Sequence, residues 1–145
     1  MANNETMRPD QIVLLDGTLD KPRLLRDLAD RAARALGLDG PKLAAALTRR
    51  EDLGSTGLGA GIAIPHTRLA EVQKPFAILA ILQKPIQFDA IDDKPVDIVL
   101  LLIAPDNGDA LKALAGISRV LREPTILERL RRAPSAQAAY DTLDP

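Results

Sequence analysis

Two runs, Phe76-Ala-Ile-Leu-Ala-Ile-Leu82 and Val96-Asp-Ile-Val-Leu-Leu-Leu-Ile103, are apolar almost without interruption over the length of a strand. A half-exposed strand would alternate apolar and polar residues, so these runs read as central strands covered on both faces. The covers come from the flanking segments. Leu24, Leu25, Leu28, Ala29, Ala32 and Leu36 recur at helical spacing between Asp20, a candidate N-cap, and Gly37, a candidate stop. Asp39-Gly40-Pro41 opens a second helix with Leu43, Ala44 and Leu47 on one face and Arg49 and Arg50 in its last turn. Leu111, Leu114, Ile117, Val120 and Leu121 mark a third, Pro124 starts a fourth element, and Pro134-Ser135 caps a last helix to about Leu143. Ile12-Val-Leu-Leu15 reads as a first strand, Pro85-Ile-Gln-Phe88 as a short edge strand, and Asp92-Asp93-Lys94 as the turn after it.

Strands alternating with helices imply an α/β domain of three layers, a central mixed β-sheet flanked by helices on both faces. Residues 1–9 are polar and without period and are expected to form a mobile N-terminal tail, leaving 10–145 as a single domain.

Charge and composition exclude several functions. With 19 basic and 20 acidic residues there is no basic stripe for nucleic acid, and two Phe with one Tyr offer little for base stacking. The absence of cysteine removes disulfides and makes the cytoplasm the expected compartment. The N-terminus shows no secretory signal pattern, and the longest apolar run, Ile98 to Pro105, falls short of the roughly 20 residues of a membrane span.

Chemistry converges on Gly54-Ser-Thr-Gly-Leu-Gly-Ala-Gly-Ile-Ala-Ile-Pro-His66, a glycine-rich loop leading through a short apolar strand to the chain's one histidine. Pro65 is expected to end the strand, presenting His66 at its tip. A nucleotide loop would need G-x-x-x-x-G-K-[ST] or G-x-G-x-x-G after a strand and before a helix, and neither the spacing nor the order fits. One histidine without cysteine cannot build a tetrahedral metal site of nitrogen and sulfur ligands, and no cofactor is implied. No G-x-S-x-G elbow supports a serine hydrolase. Two readings stand on the residues alone. One is a tight turn carrying a surface histidine. The other is a nucleophilic imidazole that accepts a phosphoryl group, with Arg50, Ser55, Thr56 and the backbone of Gly57, Gly59 and Gly61 as its phosphate donors.

The segments Arg50-Glu51, Leu53-Gly54-Ser55-Thr56-Gly57, Gly59 and Gly61-Ile62-Ala63-Ile64-Pro65-His66 resemble the fructose/mannitol-type enzyme IIA domains of the bacterial phosphoenolpyruvate-dependent phosphotransferase system, especially their nitrogen-related branch. Pro85 to Asp92, Pro95-Val96-Asp97 and Leu111 to Ala115 extend the likeness, which covers about Ile12 to Leu143. The resemblance implies a IIA type 2 domain whose His66 accepts phosphoryl through Nε2 from an HPr-type carrier, with Nδ1 held by a main-chain group. It places Arg50 at the phosphate-facing arginine position, and Ser55, Thr56 and Gly57 to Gly61 along the pocket. It also implies regulatory target proteins as partners or, in a sugar-transport version, a separate IIB protein; a module that keeps the fold and has lost transfer is the third alternative. No IIB or IIC sequence is present, so a free-standing regulator is expected. Many relatives carry a second histidine where this chain reads Asp109-Ala110-Leu111, and Thr67 and Ala60 also depart from the family pattern. An apolar rim including Leu58 is expected beside the histidine.

Overall fold

The computed structural model describes residues 7–17, 19–106 and 109–143. The two apolar runs are strands β5 (Phe76–Ile86) and β6 (Val96–Pro105), paired antiparallel with Ile78 opposite Leu101 and Ala80 opposite Val99. β1 (Ile12–Leu15) lies parallel to β5. Beyond β6 come β3 (Ile62–Ala63), parallel to it, and β2 (Gly57–Gly59), antiparallel to β3. A further strand, β4 (His66–Leu69), also runs parallel along β6, so the sheet order is β1-β5-β6-β3-β2 with β4 on the same β6 edge as β3.

Successive side chains of a strand point to opposite faces, so β5 and β6 each serve two cores. Ile78, Ala80 and Leu82 with Val99, Leu101 and Ile103 face α1 (Lys21–Leu36) and α2 (Gly40–Asp52). Ala77, Leu79 and Ile81 with Ile98, Leu100 and Leu102 face α3 (Asp109–Leu121), α4 (Pro124–Arg132) and α5 (Ala136–Leu143). This is the expected three-layer arrangement with a mixed central sheet. The helix ends follow local chemistry. Asp20 accepts the N–H of Arg23 at 2.9 Å, Asp39 that of Lys42 at 3.1 Å, and Ser135 Oγ that of Ala138 at 3.1 Å. Gly37 closes α1 in the left-handed region at φ 70°.

Three expectations are corrected. The first six residues of the predicted tail lie outside the described residues, but Met7 is only 5% exposed within the second core, and Pro9–Gln11 form a 3-10 turn. Gln11 Nε2 donates to the Ala77 carbonyl at 2.7 Å, tying this segment to β5. Pro85 and Ile86 are not a separate edge strand. They continue β5 past a register shift between Ile81 and Ile86, where proline cannot donate to the ladder, while Phe88 leaves the sheet fully buried. Leu111, expected on the buried face of α3, is 76% exposed, whereas Ile117 and Leu121 are buried.

β2 and β3 are joined by a two-residue turn in which Ala60 and Gly61 have φ of 55° and 80°, as a type I′ hairpin requires. The tip is clamped: Arg131 of α4 donates from Nη2 to the Ala60 carbonyl at 2.6 Å and from Nε to Asp97 Oδ2 at 2.9 Å. A Cβ on Gly61 would stand 2.8 Å from Asp97 Oδ1 and against Arg131 Nη2. Gly61→Ala is therefore expected to cost about 2 kcal/mol or more, from backbone strain and a displaced guanidinium. A urea midpoint equal to the parent's would refute this.

The hairpin also carries a pH-sensitive contact. Asp92 accepts the N–H groups of Lys94 and Ala60, each at 3.1 Å. These bonds, that of Lys94 foremost, hold its carboxyl below the ordinary 3.8. A depressed folded-state value contributes stability above the unfolded pKa and loses it as pH falls through the folded one. Acidification should thus reduce amide protection at Ala60, and Asp92→Asn should remove that dependence. An identical acid profile in the variant would count against it.

Candidate functional site

Sequence reasoning expects His66 at the tip of a strand ended by Pro65. Instead β3 stops at Ala63, Ile64 and Pro65 make a short offset, and pairing with β6 resumes at His66. Proline cannot donate, but it can accept: Leu102 N–H bonds the Pro65 carbonyl at 3.0 Å, so β6 continues across the gap. His66 stands opposite Leu102, half-buried.

The ring is oriented by the backbone two residues upstream. His66 Nδ1 lies 2.8 Å from the Ile64 carbonyl oxygen, which can only accept. Nδ1 therefore carries the proton of the neutral ring and Nε2 the lone pair.

His66 lines a cleft of about 850 Å³ between the C-terminal end of α2, β4, the end of β6 and α3. Arg49 and Arg50 enter it from α2 and Arg68 from β4, against the carboxylates of Asp52 and Asp106. Arg50 Nη1 donates to the Gly54 carbonyl at 2.9 Å. Arg49 and Arg68 form no salt bridge among the described residues. Leu53, 86% exposed, and Leu111 give the mouth an apolar border. Leu58, expected in that role, is half-buried and packs into the second core because it points from β2 toward the α3–α5 layer.

The predicted phosphate donors divide into two groups. Arg50 shares the cleft with His66; Ser55, Thr56, Gly57, Gly59 and Gly61 are not among the residues lining it. Ser55 Oγ donates to the Phe88 carbonyl at 2.7 Å and accepts the Gly57 N–H at 3.0 Å. The loop glycines admit other parts of the fold. A Cβ on Gly57 would be 2.7 Å from Ala90, one on Gly59 would be 3.3 Å from Asp92, and Gly61 meets Asp97 and Arg131. Thr56 is 4% exposed, with its hydroxyl hydrogen-bonded to Glu51 and its N–H 3.2 Å from each oxygen of that carboxylate. Glu51, itself buried, pairs with Lys21 of α1 at 2.8 Å.

Sequence reasoning assigns no phosphate-binding or ring-positioning role to Glu51, Lys21 or Arg68, and does not identify the carbonyl that holds the ring. A signal for Glu51 existed: a carboxylate in the last turn of a helix opposes the macrodipole and needs a compensating partner. No group of three or more His, Asp or Glu side chains among the described residues could hold a metal ion. Among those residues no helix is long and apolar enough to cross a membrane.

Comparison with known proteins identifies the family. Residues 5–145 match the family described as phosphoenolpyruvate-dependent sugar phosphotransferase system, EIIA 2. A nitrogen regulatory protein of Bradyrhizobium diazoefficiens is 39% identical over 145 residues, 99% of this chain and 95% of that one. The crystal structure of nitrogen regulatory protein IIA-Ntr from Neisseria meningitidis superposes with a TM-score of 0.91 at 32% identity, covering 99% of both chains. The fold is also shared, at TM-score 0.80 and 21% identity, with a complex of enzyme IIAMTL and phosphorylated enzyme IIBMTL from Escherichia coli, over 95% of this chain and 96% of that one. The chain thus belongs to the EIIA type 2 family of the phosphoenolpyruvate-dependent sugar phosphotransferase system, as a IIA protein of the nitrogen-related type.

Proposed function

We propose that His66 is a phosphoryl acceptor and that its phosphorylation selects the proteins this chain binds. The observation that carries the reading is the Nδ1 contact with the Ile64 carbonyl, which leaves Nε2 as the nucleophile of a ring lining an arginine-bearing cleft. The Nε2 lone pair attacks the phosphorus of a phosphohistidine on an HPr-type carrier. The carrier's N–P bond breaks, its electrons return to the carrier's ring nitrogen, and the proton stays on Nδ1, hydrogen-bonded to the Ile64 carbonyl. Positive charge from Arg49, Arg50 and Arg68 favours the phosphoryl oxygens during transfer. The proposed setting is a single domain working in the cytoplasm, with regulatory target proteins reading the phosphorylation state.

Labelling from phosphoenolpyruvate through enzyme I and an HPr-type carrier, followed by nitrogen and phosphorus NMR, tests the assignment. A phosphoryl group on Nε2, stable in base and lost in acid, is expected; one on Nδ1 would overturn it. Arg50→Ala should slow uptake about a hundredfold, as the loss of one preorganised donor does. Arg50→Lys should slow it less, keeping charge without the planar fork. Parental rates in both would move the phosphate role to Arg49 and Arg68.

The transport reading, with onward transfer to a separate IIB protein, is supported by the fold shared with the IIAMTL–IIBMTL complex. Binding assays separate the two readings. A regulator should recover different partners in its phosphorylated and unphosphorylated forms; equal recovery would replace it with the transport intermediate.

A further inference from the structure

Glu51 and Lys21 are placed where helix electrostatics disfavours them. Glu51 sits at the negative C-terminal end of α2, and Lys21 opens α1 at its positive end. Both are withdrawn from water, with side chains 4% and 18% exposed, and a buried ion pair is by itself weak evidence for stabilisation. The pair therefore calls for another role, and its hydrogen bonds lead to one. Lys21 Nζ contacts Glu51 Oε2 at 2.8 Å and donates to the Phe88 carbonyl at 3.2 Å. Glu51 takes both the hydroxyl and the N–H of Thr56. The Thr56 carbonyl accepts the Ile64 N–H at 3.1 Å, and the Ile64 carbonyl accepts Nδ1–H of His66 at 2.8 Å.

We propose that Lys21, Glu51 and Thr56 are positioning residues for His66: the buried pair fixes Thr56, Thr56 fixes Ile64, and the Ile64 carbonyl selects the Nδ1–H tautomer that exposes Nε2. This rests on His66 being the phosphoryl acceptor. The relay is mechanical and not electronic, because the N–H and C=O of Thr56 belong to different peptide units, as do those of Ile64. What it controls is the location of one carbonyl oxygen. Pro65 stiffens the link between that oxygen and the ring, since its φ is fixed and its own carbonyl is held by Leu102. The free imidazole of histidine favours the opposite tautomer, with hydrogen on Nε2, so a displaced carbonyl would let the nucleophilic nitrogen be capped by its own proton. Thr56 consequently acts through its contact with Glu51, with no phosphoryl oxygen on its hydroxyl.

The test compares the parent with Thr56→Val, Thr56→Ser and Glu51→Gln, each first shown folded by circular dichroism and a cooperative melt. Two quantities are read: the His66 tautomer ratio from ring 15N shifts at alkaline pH, where imidazoles are neutral, and the rate of phosphoryl uptake. Thr56→Val keeps the side-chain shape and removes the hydroxyl. It should enrich the Nε2–H tautomer and slow uptake about tenfold, the lower end of what lost support behind a histidine costs at metal sites. Glu51→Gln should act in the same direction, and Thr56→Ser should restore both readouts. A parental tautomer ratio in folded Thr56→Val and Glu51→Gln overturns the proposal whatever the rates. Equal shifts in Thr56→Val and Thr56→Ser overturn it too, since packing and not the hydroxyl would then be responsible. If the parent takes up no phosphoryl at all, the acceptor reading fails, and the tautomer ratios still decide the positioning role.

Discussion

His66→Ala protein should take up no phosphoryl group while remaining folded. The chain has one imidazole, so no second ring can substitute for it. The other nucleophiles nearby are poorly suited: Ser55 Oγ is hydrogen-bonded to the Phe88 carbonyl and the Gly57 N–H, and the Thr56 hydroxyl is bonded to Glu51. Asp52, Asp106 and Thr67 remain in the cleft, but an acyl phosphate on either carboxylate would be base-labile and a phosphothreonine acid-stable, each unlike a phosphohistidine. The folded state should survive because removing the ring loses one hydrogen bond to the Ile64 carbonyl, a net term of about 1 kcal/mol, from a side chain that is only half-buried. Counting label after acid and after base treatment, alongside a thermal melt, gives the answer. Base-stable label on folded His66→Ala protein would sink the acceptor assignment.

The largest stability loss is expected from Glu51→Ala, about 3 kcal/mol, at the lower end for breaking a buried pair because Lys21 keeps some contact with water. Three groups lose their partner together: the Lys21 ammonium, the Thr56 hydroxyl and the Thr56 N–H. Lys21 is only partly rescued, by the Phe88 carbonyl and by the Phe88 ring 4.4 Å from its nitrogen. Against a total stability of roughly 5–15 kcal/mol for a domain, such a loss should be plain in urea unfolding. Lys21→Met added to Glu51→Ala should recover part of it by removing the stranded charge. A single-variant loss under about 1 kcal/mol would mean that water enters and solvates the pair, against the burial observed.

Elements governed by nearby residues were legible in the sequence. Asp20, Asp39, Ser135 and Gly37 act within a few positions of themselves, so the helix ends follow from local chemistry. The unbroken apolar character of β5 and β6 required cover on both faces, and that requirement alone yields three layers. That His66 and Arg50 share one cleft was also readable, because the single imidazole and the helix-end arginine lie on one short segment. What tertiary structure decided are the contacts between positions far apart in the chain. Lys21 reaches Glu51 because α1 packs on α2; Arg131 reaches from α4 to Ala60, 71 positions away in the chain; Met7 is buried because α5 closes over the N-terminal segment. The glycine loop illustrates the limit most clearly. Its composition announces that something must approach closely, but only the packed fold reveals that Ala90, Asp97 and Arg131 do so, since backbone freedom is a local property and the identity of the neighbour is not.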